Sequence, residues 1–420
     1  MKMNIFPNTE RKNKILDIVI IADFCGQFDG SSNNRFAYIA EELSRYHKVE
    51  IITSDFSHGL KAYFPDLIEK FSYKVTMLHE RKYKKNICIS RFLAHYIWGR
   101  NVKKYLKKRK FPDIVYCAMP TLTAAFYTAK YCERYSIRFI IDVQDLWPEA
   151  FQMILNIPII SKIIFKPFEL LADGIYKRAD DIIAVSQTYV NRALSVNKKN
   201  VSGHSVFLGT NLLIFDNNVS NTQNSSMIKK IKDQKDGKMW IAYCGTLGSS
   251  YDLCCVIDAI ELLNNMGYNN IKFIIMGDGP RREEFEKYVG DKQVDAYFTG
   301  RLPYYDMCGI LSLCDMAVNP IVHGAAQSII NKHADYASAG LSVISTQENS
   351  EYRELVDYYN MGINCKNGNA RDMAEKIRII LEDSNMRITM GNNARKCAEE
   401  MFDRRYTYKE IINVIEGETK

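Results

Sequence analysis

The stretch IAYCGTLGSSYDL, residues 241–253, decides how the rest of the chain is read. An apolar run ends at Cys244, glycines follow at 245 and 248, and a new apolar stretch opens near Asp252. The pattern predicts a buried strand, a tight loop and a helix start. Glycine lets backbone come close to a ligand. A helix start offers unpaired N–H groups and a partial positive charge, which suit a phosphate. An ordinary strand-to-helix turn would use the same residues, so the loop alone leaves both readings open.

Three further segments repeat the theme. IIMGDGP (274–280) ends a predicted strand in Gly277, Asp278 and Gly279. FTGRLPYYDM (298–307) puts Arg301 after a strand-end glycine, where a guanidinium can pair bidentately with phosphate. A lone surface ion pair is the bland alternative. QSIINKHADYASAGLSVIST (327–346) puts Lys332 beside Asn331 at a predicted helix start, where the helix dipole disfavours a cation unless an anion binds there. Asp335 lies one turn further on. In open parallel sheets, ligands bind outside the carboxyl ends of strands. Four such segments at one sheet edge favour a nucleotide-diphosphate pocket over four unrelated turns.

Outward from this region the chain alternates. ILDIVIIA, VEIITS, DIVYCAM, RFIIDVQ and DIIAVS in the first half, and MWIAYC, IKFIIMG, AYFTG, MAVNP and LSVIST in the second, read as strands without polar alternation. Helical patterns lie between them. Such strands form parallel sheets covered on both faces. The expected architecture is α/β: two Rossmann-like domains facing a central cleft. The expected boundaries are 1–210 for the first domain, 211–238 for a polar linker, 239–390 for the second domain, and 391–420 for a terminal helix packing back on the first.

The order and spacing of YCGTLG, MGDGP, FTGRLP and NKHADYASAGLSVIST resemble glycosyltransferase family 4, retaining enzymes of the GT-B type. KRADDIIAVSQTYV (177–190), FLGTNLLIF (207–215) and DVQDLWPEAF (142–151) extend the resemblance over nearly the whole chain. The last of these resembles capsular, exopolysaccharide and O-antigen sugar transferases. The resemblance implies sugar transfer from a nucleotide-diphosphate donor, UDP-sugar favoured over GDP-sugar, to a lipid-linked glycan. It implies that Asp335 binds the donor ribose and that Gln327 lies near the transferred sugar or its phosphate. The family usually has two Glu at these positions, with the same seven residues between them. Thr246 stands where many members carry Arg, which leaves Arg301 and Lys332 as the expected diphosphate cations. In the first domain the resemblance places Gly30 and Arg35, in FCGQFDGSSNNRFAYIAEEL (24–43), and Gln144, Asp145 and Glu149 on the acceptor side. A solvated turn shaped by Trp147 and Pro148 is the alternative for the last three. Asp145 is the candidate for positioning the acceptor. No DxD sequence suggests a carboxylate-held metal, so no metal or cofactor is expected. Two other functions share the architecture: a non-hydrolysing nucleotide-sugar epimerase, and a non-catalytic partner of another transferase.

From Arg81 to Lys110 the chain has twelve Lys or Arg and no Asp or Glu. Ile89, Phe92, Leu93, Tyr96, Ile97, Tyr105 and Leu106 recur there at helical spacing, and the apolar MILNIPIISKIIFKPFELL (153–171) could join them. A basic amphipathic helix suits an anionic membrane surface. Alternatively the apolar stripe packs on the sheet and the basic face is solvated. No nucleic-acid motif or basic–aromatic platform accompanies it, so nucleic acid is not an expected partner.

The bulk numbers agree. The chain has 420 residues, 47% of them apolar and 25% charged, the balance of a globular protein with a core of normal size. Eleven irregularly spaced cysteines, with no CxxC pair, read as reduced thiols of a cytoplasm. No run reaches the roughly 18 apolar residues of a spanning helix, so membrane contact is expected to be peripheral, at the inner face.

Overall fold

In a computed structural model of the chain, the apolar runs are parallel strands of two separate sheets. The structure describes residues 14–418 except 27, 29–32, 65–70, 85–87, 153–157, 223–224, 236 and 326–328. The first sheet has seven strands, in the spatial order Lys74–Leu78, Lys48–Ser54, Asp17–Ile21, Ile114–Met119, Arg138–Val143, Asp181–Ala184, Gly203–Ser205. The second has six: Ala296–Gly300, Ile271–Met276, Met239–Cys244, Met316–Asn319, Ser342–Ser345, Gly362–Asn364. Every pairing within both sheets is parallel.

The reason is visible in the central strands. Ile18, Val19, Ile20 and Ile21 are at most 1% exposed, so both faces of that strand are covered. Alternate residues join different cores. Val19 and Ile21 pack with Trp98, Val102 and Leu106, while Ile18 and Ile20 pack with Phe36, Ile39 and Leu43. Each such side chain contributes about 1.5–3 kcal/mol relative to remaining in water.

The polar segment 211–238 is not an open linker. It forms the helices Leu212–Thr222 and Ser226–Lys232. Leu212 with Phe215, and Ile228 with Ile231, lie three residues apart and enter the second-domain core beside Trp240 and Leu311. Apolar density there is low, but the spacing suits one face of a helix.

At the other end, Ser384–Cys397 packs with the second domain, whereas Arg404–Glu416 returns to the first. Tyr408, Ile411, Val414 and Ile415 of this last helix complete the core around Ile18 and Phe36. Its C-terminus is held by Arg138, whose guanidinium donates to the carbonyls of Val414 (2.7 Å) and Ile415 (3.0 Å). Gly417 closes it in the left-handed region, at φ 79°. The two chain crossings pair with each other: Thr210 N–H donates to Phe402 O, and Arg404 N–H to Thr210 O. Gly209 is required there, since a Cβ would sit 2.3 Å from the Phe402 carbonyl. Among the described residues no helix is long and apolar enough to cross a membrane.

Candidate active site

The strands Ala296–Gly300, Ile271–Met276, Met239–Cys244 and Met316–Asn319 are consecutive neighbours in the second sheet. The loops carrying Arg301, Gly277–Gly279 and Gly245–Ser250 therefore leave one rim, and the helix Asn331–Ser338 stands behind it. Two of the loops are interlocked. Gly245 N–H donates to Met276 O, Leu247 N–H to Asp278 O, Arg281 N–H to Leu247 O, and Gly277 N–H to Gly300 O. A Cβ on Gly277 would fall 1.9 Å from the Gly245 carbonyl, and one on Gly279 would fall 2.4 Å from that of Leu247. These glycines let two loop backbones touch. Thr246 is exposed, and its carbonyl accepts from the Tyr243 hydroxyl (2.8 Å). Gly248 has room above it and Asp278 lies open on the rim.

The helix start after this loop is less free than its sequence suggests. Asp252 caps it, accepting from Cys255 N–H (3.1 Å), so a carboxylate already stands where a phosphate was expected. The helix Asn331–Ser338 differs: its N-cap residue is Ile330, which has no oxygen to offer.

Lys332 is the most unusual residue on this rim. It is 5% exposed, and its Nζ has no hydrogen-bond partner among the described residues. The ammonium stands 3.7 Å from the ring centroid of Tyr251 and 4.2 Å from that of Tyr243. It also lies 3.2 Å from where a Gly245 side chain would begin. Burial pulls its pKa down to about 7. A buried charge without a counter-ion is costly, and the aromatic faces offset only part of that cost. The arrangement suits an anion arriving at Gly245.

Asp335 has a different environment from the expected one. It is 5% exposed, and Oδ1 accepts from the Tyr304 hydroxyl (2.9 Å). Tyr304 shares a hydrogen bond with Thr210 Oγ1 (2.7 Å). Asn33 donates to Thr210 Oγ1 (2.9 Å) and accepts from Arg404 Nη1 (2.6 Å). Asp335 is thus engaged through Oδ1 at the junction of the domains. Burial raises its carboxyl to about 7.

Several expected acceptor residues of the first domain are occupied by neighbours. Arg35 is buried, bonded through Nε and Nη2 to both oxygens of Asp142 (3.0 and 3.3 Å) and through Nη1 to Tyr408 (2.6 Å). Burial alone would lower its pKa; the Asp142 carboxylate outweighs that and holds it above the ordinary value. Arg35 anchors the terminal helix and does not face an acceptor. Gln144 Nε2 donates to the same Asp142 (3.0 Å). Glu149 pairs with Arg192 (2.5 Å), which also holds Asp173 (2.8 Å). Asp145 accepts from Trp147 Nε1 (3.0 Å), and burial raises its pKa. Gly30 and Gln327 lie outside the described residues.

Sequence reasoning missed a polar cluster on this rim. Asp23 and Glu80, just beyond two strand ends, are buried, and burial raises their carboxyls to about 6 and about 9. They lie with His95 in one group of side chains, and Arg91 adds its charge beside both carboxyls. Around them stand Phe24, His58, Tyr83 and Trp147, with Arg91 4.7 Å from the Trp147 ring centroid. The available signal was Asp23 itself, a carboxylate immediately after an all-apolar strand. Likewise Tyr243 and Tyr251 flanked the glycine loop in the opening quotation.

Among the described residues, three contacts that bridge the cleft stand out. One is the Asn33–Thr210–Tyr304 chain. The second is Glu351, which accepts from Gln187 N–H (2.7 Å). The third is Arg301, whose guanidinium lies where a Gly59 side chain would be, 2.7 Å from the Cβ position. Gly59 is in the turn of the hairpin formed by Phe56–Ser57 and Ala62–Tyr63.

The basic helix Ile89–Lys108 divides differently from its sequence pattern. Arg91, Ala94, His95, Trp98, Val102 and Leu106 face inward. Ile89, Leu93 and Tyr96 are exposed (88%, 41% and 41%). Ile163, Ile164 and Leu170 of the helix Pro158–Tyr176 are exposed too, and Phe92 meets Phe168 between the helices (centroids 5.2 Å).

Comparison with known proteins follows this geometry. Residues 238–383 match the family described as Glycosyl transferases group 1. An uncharacterized glycosyltransferase of Methanocaldococcus jannaschii is 23% identical over 245 residues, which is 58% of this chain and 59% of that protein. The chain thus spans less than two thirds of that relative's length. The structure is similar to that of HepE from Anabaena in complex with UDP-glucose (TM-score 0.70, 15% identity, 96% of this chain and 100% of that one). It is also similar to sucrose-phosphate synthase from Thermosynechococcus elongatus (0.72, 14%, 94% and 97%). A third similar structure is WaaG, described as a glycosyltransferase involved in lipopolysaccharide biosynthesis (0.66, 15%, 95% and 99%). The fold is GT-B: two Rossmann-like domains with parallel sheets.

Proposed function

We propose that this chain, with a GT-B fold and a second domain that matches the group 1 glycosyl transferases, is a retaining glycosyltransferase using a UDP-sugar. The observation that carries the reading is Lys332, a buried amine with no hydrogen-bond partner among the described residues, under the glycine loop of the donor-side rim. The UDP and UDP-glucose bound in similar structures favour uridine over guanosine.

In this reading the diphosphate lies over Gly245, between the Gly245–Ser250 backbone and the uncapped start of the helix Asn331–Ser338. Lys332 becomes charged against it. Transfer breaks the bond from the sugar C1 to the diphosphate oxygen and forms one from C1 to the acceptor oxygen on the same face. The acceptor hydroxyl proton passes to the departing phosphate oxygen. Preorganised donors aimed at that oxygen lower the barrier. Lys332 and the helix start supply them without a metal. Closure of the two domains excludes water.

The acceptor is a lipid-linked glycan of a bacterial surface polysaccharide, met at the inner face of the cell membrane. Support comes from the outward Ile89, Leu93 and Tyr96 on a helix that also carries Arg100, Lys103, Lys104, Lys107 and Lys108. Near an anionic surface each such charge contributes about 1 kcal/mol. Titration calorimetry with UDP and GDP tests the donor. UDP should bind and GDP bind more weakly, and Lys332→Met should weaken both, because both carry the diphosphate. A chain that binds neither nucleotide is not this enzyme. Flotation with anionic and neutral vesicles tests the membrane face, and equal binding to both removes it.

A further inference from the structure

The glycosyltransferase reading places Lys332 with the donor but leaves Arg301 unexplained. Arg301 is exposed and has no hydrogen bond or ion pair among the described residues. Its strand, Ala296–Gly300, is two places from Met239–Cys244, roughly 10 Å at ordinary strand spacing. Its guanidinium instead crosses the cleft and rests on the hairpin turn of the first domain, in the space left by Gly59.

That turn is itself cationic. Lys61 Nζ lies 3.4 Å from His58 Nδ1 and 4.6 Å from the centroid of the Tyr83 ring. Burial, and then the charge of Arg91, pull Lys61 down to about 8, and Lys61 adds to the pull on His58. Arg91 faces Asp23, Glu80 and Asp145, which answer its charge. Arg301 brings a further cation against this turn from the second domain. Its long side chain stands in water at the acceptor side of the cleft, with its five N–H donors uncommitted among the described residues. A guanidinium in that position fits a phosphate or carboxylate bidentately.

We infer that Arg301, with Lys61 beside it on the hairpin turn, holds an anionic group of the acceptor: a phosphate or a carboxylate. The inference rests on the glycosyltransferase reading for the word acceptor, and on the geometry alone for the anion subsite. A lipid diphosphate and an acidic sugar both offer the required chemistry.

The experiment titrates full-length protein with geranyl diphosphate and, separately, with methyl glucuronide, each with and without saturating UDP. Binding of one probe in the presence of UDP identifies the source of the anion. Arg301→Ala should weaken that probe about tenfold to a hundredfold, with UDP affinity changed less than about twofold. Arg301→Lys should restore part of it. Gly59→Ala removes no charge, but its methyl must displace the guanidinium, so it should weaken the same probe by about threefold or more. If Arg301→Ala weakens UDP and leaves both probes unchanged, Arg301 belongs to the donor and the inference is wrong. If neither probe binds the wild-type protein, there is no anion subsite. Arg301-dependent probe binding by a chain that does not bind UDP would keep the subsite and remove the glycosyltransferase reading.

Discussion

On the rim of the first domain Arg35, Gln144, Asp145 and Glu149 are each occupied by a neighbouring side chain; on the rim of the second, Lys332 and Arg301 have no hydrogen-bond partner among the described residues. The same residue types thus have opposite meanings on the two sides of one cleft. A buried ion pair with its hydrogen bonds satisfied holds elements together. A buried cation without a counter-ion, such as Lys332, costs stability, and that cost is recovered when an anion binds. Substitutions on the first rim should therefore destabilise without changing ligand affinity. Those on the second should weaken binding and spare or increase stability.

The largest effect is expected at Arg35. Arg35→Ala strands Asp142 in the core and frees Tyr408 of the terminal helix. Removing one partner of such a pair costs about 3–5 kcal/mol. Denaturant unfolding should show this, and UDP affinity of the folded fraction should stay unchanged. A stable Arg35→Ala protein with a raised KM for acceptor would restore Arg35 to the acceptor site.

Next is Lys332→Met, which should weaken UDP about tenfold to a hundredfold. It should also raise the melting temperature by a few degrees at pH 7. The sign follows from the depressed pKa. The wild-type protein loses stability as pH falls from the ordinary lysine range through about 7, and the Met variant does not. UDP affinity of the wild type should be highest below that pH. A Met variant that melts lower at pH 6 would contradict the unpaired ammonium.

Asp335→Asn tests the junction. The raised carboxyl makes the wild-type protein lose stability as pH rises from the ordinary aspartate range through about 7, opposite in sign to Lys332. Asn still accepts from Tyr304. The advantage of the variant over the wild type should grow by about 3 kcal/mol between pH 5 and pH 8, measured by thermal unfolding across pH. A large loss of UDP affinity would instead return Asp335 to the ribose.

The smallest effect belongs to Glu149→Gln. Arg192 keeps Asp173 and can still donate to the amide, so the change should stay within about 1 kcal/mol, read as a denaturation midpoint. A greater loss would mean that the Arg192 pair carries more than partly exposed ion pairs usually do.

The fold was legible because it is written in local pattern. Runs such as Ile18–Ile21 read as strands covered on both faces, and the three strand-end glycine loops of the second half do leave one rim. The 211–238 region misled because its polar composition hid the three-residue spacing of Leu212 with Phe215 and of Ile228 with Ile231. Site residues were legible as a location but not as roles. Lys332 stood out because a cation is misplaced at a helix start. The partners of Arg35 and Asp335, Tyr408 and Tyr304, were not readable because they lie far away in sequence or on another helix. Local spacing carries no information about such partners. The Asp23–Glu80–His95 group was hard to read for the same reason: two strand ends and the helix Ile89–Lys108 meet only after the sheet forms.

The terminal helix has a consequence for how the protein is made. Residues 14–205 emerge first, yet the core around Ile18 and Phe36 lacks one wall until Tyr408, Ile411 and Val414 arrive. Of these two domains, the one translated earlier is therefore finished later. Its apolar face waits for the whole second domain to be translated before the closing helix can cover it.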